Sequence, residues 1–182
     1  MLNRVRVAAA ILPLAMLLGG CLFEGTVDEK GGAEVKMHYR VAPNTTVDKA
    51  AKDLESKDVK LVSKSLDKDG WMDATVKTDD VTKLSTVAFF KAWKITLVDG
   101  KDKGTKTLKS TYVNKAPNVK APQSAIDYYG GEIKIVLNLP GDIVKTNASD
   151  SKGKTASWTF KTDEFFKQKE AVLEVTYKLP AK

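Results

Sequence analysis

The chain has 182 residues, with 30 Lys+Arg against 23 Asp+Glu, one His, one Cys, 42% apolar and 29% charged positions. This composition excludes collagen-like, low-complexity and disulfide-scaffold classes, and the length fits a single domain.

Residues 1–20 read as an export leader. Arg4 and Arg6 form a basic start, and Val7 to Leu18 is an uncharged apolar run of 12 residues. That suits the core of a signal peptide and is too short for a membrane span, which needs about 20 residues. Leu18-Gly19-Gly20-Cys21 then looks like a bacterial lipobox, so Cys21 is expected to carry a diacylglyceryl thioether and to become the first residue of the mature protein. Two acyl chains, at about 0.8 kcal/mol per buried CH₂, hold a protein stably where one holds only marginally. The expectation is a lipid-anchored cell-envelope protein whose residues 21–182 form one extracytoplasmic α+β domain. That domain keeps no second cysteine for a disulfide, so its stability must come from its core.

Removing two arginines with the leader leaves 28 basic against 23 acidic residues, a net +5. The excess is lysine interspersed with acids, and Arg40 alone is poor equipment for bidentate phosphate or base contacts, so nucleic acid is not an expected partner. A weak attraction to anionic headgroups is compatible with this charge.

In chain order, Leu22 to Glu29 reads as a strand that follows Cys21 with no Ser/Gly/Pro tether, which would seat the domain against the bilayer. Gly31-Gly32 turns it into a second strand in which Ala33, Val35, Met37, Tyr39 and Val41 alternate with polar residues. Thr45-Thr46-Val47-Asp48 opens a short helix through Leu54. Asp69-Gly70 joins strands Val59 to Ser65 and Trp71 to Lys77, and Thr78-Asp79-Asp80 opens a second helix carrying Val81, Leu84, Val87 and Ala88. Strand Trp93 to Val98 precedes an Asp99-Gly100 turn. The pattern fails from Tyr112 to Gly130, which reads as a long surface loop. Alternation returns at Ile133 to Leu139, Ala156 to Phe160 and Ala171 to Leu179, with a short turn of helix expected at Asp163 to Lys167 between the last two. One wet face per strand points to mostly antiparallel, twisted sheet with two short covering helices. Two helices shield about four strands. The remaining apolar face must pack on a second sheet or bound a cavity, and only a cavity implies a lipid-like ligand.

No catalytic set is assembled. His38 sits on the polar side of its strand, and no nucleophile elbow, zinc-protease helix, dinucleotide loop or P-loop is present. Asp67-Lys68-Asp69-Gly70 and Asp99-Gly100-Lys101-Asp102 resemble calcium-loop starts without the closing Glu, so hairpin turns explain them better and neither metal nor cofactor is expected. Asn44-Thr45-Thr46 and Asn147-Ala148-Ser149 match the glycosylation pattern, for which a cap and a turn are sufficient reasons. The aromatic doublets stand out: Phe89-Phe90 followed by Trp93, Tyr128-Tyr129, and Phe165-Phe166. Either both rings of each pair are buried at helix-to-strand junctions, or one member of each contributes to an apolar surface for a ligand or the membrane interface.

Leu139-Pro140-Gly141-Asp142-Ile143-Val144-Lys145-Thr146-Asn147-Ala148, followed after a Gly-bearing turn by Trp158, resembles the LppM-type lipoprotein domain. The resemblance implies an α+β envelope domain for which binding of membrane lipids or glycolipids has been proposed, with no catalytic residues to carry over. Relatives often add a C-terminal span. This chain ends Tyr177-Lys178-Leu179-Pro180-Ala181-Lys182, so attachment is expected to rest on Cys21. The expected function is non-enzymatic binding of an apolar ligand at the membrane surface; the alternative is a protein-interaction module using a strand edge or the 112–130 loop. Leu22, where inner-membrane retention commonly uses Asp, leans toward the outer membrane if there are two.

Overall fold

The structure is a computed structural model that describes residues 20–114 and 130–180. Among the described residues, eleven strands build two sheets. The chain runs β1 (Cys21–Val27), β2 (Ala33–Arg40), α1 (Val47–Ala51) tightening into a 3₁₀ turn at Lys52–Leu54, β3 (Lys60–Leu66) and β4 (Trp71–Thr78). Two further 3₁₀ turns, Val81–Thr86 and Ala88–Phe90, lead to β5 (Trp93–Asp99) and β6 (Thr105–Val113). After the segment 115–129, which lies outside the described residues, come β7 (Glu132–Asn138), β8 (Ile143–Thr146), β9 (Asp150–Lys152), β10 (Thr155–Lys161), α2 (Thr162–Lys167) and β11 (Glu170–Lys178).

The larger sheet has seven strands in the order β3-β4-β2-β1-β7-β10-β9, and the smaller has four in the order β5-β6-β11-β8. Alternation puts one face of each sheet inward. Ala74, Met37, Phe23, Ile135 and Trp158 line up in one row across five strands of the large sheet. The small sheet answers with rows such as Ile95, Ser110, Leu173 and Leu97, Leu108, Val175. Between the two inner faces lies the core, and the apolar surface left over by the short helices is covered mainly by the second sheet.

The hairpins at Gly31-Gly32, Asp69-Gly70 and Asp99-Gly100 form where their turn residues place them. Gly31 and Gly70 hold φ of 94° and 83°, a region that favours glycine. The Asp67 carboxylate accepts from the Asp69 and Trp71 amides at 2.9 and 2.8 Å, so it closes its turn. Thr46 caps α1, its hydroxyl accepting from the Lys49 amide at 3.3 Å.

Mostly antiparallel sheet is what forms, with one parallel pairing, and two other expectations need correction. The small sheet is antiparallel throughout, and the large sheet is mixed because β1 and β7 pair in parallel through Cys21↔Ile133 to Thr26↔Asn138; every other strand pairing among the described residues is antiparallel. Alternation fixes which face is buried but not the direction of the neighbour, and β1 and β7 keep a wet outer face with Glu24 and Lys134 although they run the same way. The second helix is 3₁₀, Val81–Thr86, with Asp80 capping it at the Thr82 amide. A run of β-branched residues at its ends and only six residues give little gain for an α-helical ladder. The expected loop is shorter at its start: Tyr112 belongs to β6, a strand of Thr, Lys and Ser that offers only Leu108, Tyr112 and Val113 as apolar signal and gains its place by pairing with β5 and β11. Residues 115–129 of the expected loop lie outside the described residues.

Candidate functional site

Cys21 is the first residue of β1 and 2% exposed. It pairs with Ile133, itself opposite Phe160, and alternation sends its side chain to the inner face along with Phe23, Gly25 and Val27. Burial pushes its thiol up to about 11, opposed in part by a hydrogen bond with the backbone of Arg40. An unmodified Cys21 is therefore a protonated, inert thiol at neutral pH.

Beyond Phe23 along the same face lies an apolar cavity of about 110 Å³ between the sheets. Gly25 and Ile135 of the large sheet form one wall, Ile95, Ser110 and Leu173 of the small sheet the other, and the 3₁₀ turns close it with Leu84, Phe89 and Phe90. Ser110 is the small residue that leaves space here, while Gly25 lets Leu137 pack close over β1. Gly25 sits in mid-strand without a side chain, and a Cβ there would come 2.9 Å from Leu137 Cδ2. Ser110 holds the position between Ile95 and Leu173 where its neighbours are large and aliphatic. With no ionisable side chain in its lining, the cavity accepts hydrocarbon and leaves a charged headgroup outside.

The structure sorts the expected aromatic residues. Phe89, Phe90 and Trp93 all line the cavity. Phe89 packs at ring-centroid distances of 6.0 Å from Phe23, 4.9 Å from Tyr39 and 5.0 Å from Phe90. Phe165 and Phe166, on α2, do not touch the cavity. Phe165 is buried against Tyr112 at 4.7 Å, Phe160 at 5.3 Å and Trp93 at 6.3 Å, with Phe166 edge-on to it at 5.6 Å. Tyr128 and Tyr129 lie outside the described residues. In both described doublets one ring is buried, Phe90 or Phe165, and its partner, Phe89 or Phe166, is partly exposed. Each doublet lies on a short helical turn ahead of a strand, so a rotation of about 120° on the 3₁₀ turn and about 100° on α2, rather than strand alternation, separates the rings.

These rings gather at the end of the molecule where β1 starts. Cys21, Ile133 and Phe160 share one row of the large sheet, while Trp93, Tyr112 and Ala171 share the first row of the small one. Burial raises the Tyr112 hydroxyl above its ordinary value. On α2, Lys167 holds the Asp163 carboxyl below its ordinary value through a 3.0 Å contact. A larger open depression of about 620 Å³, between the loops 41–45 and 66–70, also lies at this end and is rimmed by Arg40, Lys68 and Asp69.

His38 lies on the outer face of the large sheet, away from the cavity. It stacks on Trp71 at 4.7 Å and contacts Asp73 at 2.8 Å through Nδ1, with 42% of its side chain exposed. The Pro-Gly, Asn and Trp of the motif build a clamp between the sheets. Asn147 Oδ1 accepts from Trp158 Nε1 at 3.0 Å and from the Glu174 amide at 2.9 Å, while its Nδ2 donates to the Val172 carbonyl at 2.8 Å. At Gly141 a Cβ would lie 1.5 Å from the Lys178 carbonyl oxygen.

Sequence reasoning missed Phe23, Gly25 and Ser110 as cavity residues. The signals were a glycine inside an alternating strand and a serine on the apolar beat of β6.

No family model and no curated protein matches the sequence. The fold is similar to the folded domain of LppM from Mycobacterium tuberculosis, solved by NMR. The two align with a TM-score of 0.53 and 12% identity, over 90% of this chain and 93% of that one. At that identity the likeness is one of fold.

Proposed function

We propose that this chain is a bacterial envelope lipoprotein, held in the membrane by a diacylglyceryl thioether on Cys21, that binds hydrocarbon of a membrane lipid or glycolipid between its sheets without catalysing a reaction. The observation that carries the reading is the apolar cavity on the same inner face of β1 as Cys21, at the end of the fold where the aromatic rings collect. A ligand there would place its chain among Phe89, Phe90 and Trp93 and its headgroup at the mouth, next to the bilayer from which it came. A lysine-rich, mildly basic surface suits anionic headgroups. Residues 1–20 supply the export leader in this reading, residues 21–182 the envelope domain, and Leu22 after the modified cysteine favours the outer membrane where two exist.

The absence of a catalytic step is supported by the position of His38, which faces the opposite side of the sheet and is engaged by Trp71 and Asp73. The interaction-module alternative draws less support, because edge strand β3 is broken by a bulge between Leu61 and Ser63 and carries Lys60 and Lys64, devices that discourage pairing with another chain.

Native mass spectrometry of the Cys21→Ser protein, purified from its own envelope, tests the reading. One lipid per chain is expected, lost when Ser110→Leu fills the cavity. A chain that carries no lipid and does not bind cis-parinaric acid would refute lipid binding, and an unmodified Cys21 in the membrane-extracted parent would refute the anchor.

A further inference from the structure

The sulfur of Cys21 and the cavity lie on one face of one strand. Cys21 is two residues from Phe23 and four from Gly25, both cavity residues, a rise of about 7 and about 14 Å along the strand. We infer that the cavity is occupied in the mature protein by a segment of one of the acyl chains carried on Cys21 itself, so that the lipoprotein is its own first ligand. The inference rests on the lipoprotein reading above and names the hydrocarbon that the site takes.

Three features support it. First, Cys21 is already a strand residue, hydrogen-bonded in register with Ile133, and its neighbour Leu22 is paired to both His38 and Lys134. No slack remains to turn the sulfur outward without unpairing the start of a central strand. A thioether on a sulfur that points inward therefore begins its course on the inner face.

Second, aromatic rings stand on the Cys21 side of the cavity. Tyr39 and Phe23 both pack on Phe89, and Phe89 is partly exposed, so a turn of its side chain opens the way without disturbing a strand. Third, the free volume is of the right kind and size for part of a chain. The cavity offers about 110 Å³ and its lining is almost wholly apolar. A few methylene groups fill it, and the remaining hydrocarbon stays in the bilayer. One chain is thus divided between protein and membrane while its partner on the same glycerol holds the anchor.

Because the chain is tethered, its effective concentration at the cavity is in the millimolar range, and a free lipid must compete with it. A foreign ligand would then enter only when the tethered chain leaves, which couples ligand capture to the seating of the anchor.

The experiment uses the lipoprotein extracted from membranes and placed in nanodiscs of deuterated phosphatidylcholine, with the Cys21→Ser protein beside the same nanodiscs. Methyl NMR then reads Ile95, Ile135 and Leu173. Nuclear Overhauser contacts between protonated acyl methylenes and these methyls are expected in the lipoprotein, and Ser110→Leu abolishes them while the protein stays folded and membrane-bound. Titrated palmitate shifts the same methyls in Cys21→Ser and binds the lipoprotein at least tenfold more weakly. Equal palmitate binding by both proteins, with no acyl contact in the lipoprotein, overturns self-occupancy and leaves the lipid-binding reading standing. Palmitate shifts in neither protein overturn both. A Cys21 peptide without the diacylglyceryl mass overturns the anchor and this inference together.

Discussion

Replacing Ser110 with leucine is expected to stabilise the protein and abolish its capacity for hydrocarbon, two effects that rarely coincide. Ser110 faces the cavity from β6, flanked by Ile95 and Leu173. Voids cost about 24 cal/mol per Å³ in proteins where they have been made by truncation. Applied to about 110 Å³, that rate sets an upper bound of about 2.6 kcal/mol on the gain from filling, because the cavity opens to solvent at its mouth. A leucine fills most of the space and loses some of the gain in fitting its branched end among Leu84 and Phe90, leaving about 1 to 2 kcal/mol. For a chain of this length that raises the melting temperature by roughly 3 to 6 °C. The measurement is urea unfolding and calorimetry of Cys21→Ser with and without Ser110→Leu, together with titration of cis-parinaric acid. Destabilisation by more than about 1 kcal/mol would mean that the space is not available to a side chain. Unchanged probe binding in a stabilised variant would place the ligand elsewhere. Either result defeats the reasoning from the cavity.

Asn147→Ala removes three hydrogen bonds and leaves the Trp158 indole N–H buried without an acceptor, so unfolding free energy should fall by about 3 kcal/mol, read as a urea midpoint shift with unchanged slope. Gly141→Ala cannot be accommodated without moving backbone, since its Cβ would meet the Lys178 carbonyl oxygen; little soluble protein and a disordered circular dichroism spectrum are expected. Protein with an unmodified Cys21 should lose stability as pH rises from 9 to about 11, relative to Cys21→Ser. The folded state keeps the thiol proton to a higher pH than the unfolded state does, so the contribution is complete well below pH 9 and amounts to about 3 kcal/mol at most. Parallel pH profiles for the two proteins, or rapid maleimide labelling of the folded thiol at pH 8, would show that the sulfur is not held inside.

Much of the local structure was legible because its causes are local. A Gly31-Gly32 or Asp69-Gly70 pair makes a hairpin wherever it stands between alternating runs, and Thr46 caps whatever short helix follows it. The doublets were legible as aromatic pairs, but not which member would be buried, because that depends on the 3₁₀ or α turn on which each pair sits. Strand β6 was missed for the opposite reason. Its Thr, Lys and Ser give almost no pattern of their own, and cross-strand partners on both sides hold it in place. The role of Asn147 was out of reach too, since a surface-looking Asn becomes a clamp only when β10 and β11 arrive on either side of it.

By itself the order of residues determined which positions face inward, where the chain turns, and that the lipobox-like cysteine opens directly into a strand. Those are properties of segments of fewer than ten residues, governed by side-chain volume and backbone sterics. Tertiary structure alone decided that β1 and β7 run in parallel, that two sheets rather than one sheet and helices enclose the core, and that Gly25 and Ser110 line one cavity. A void is the space left between surfaces contributed by distant parts of the chain, so no stretch of sequence contains it until those surfaces meet.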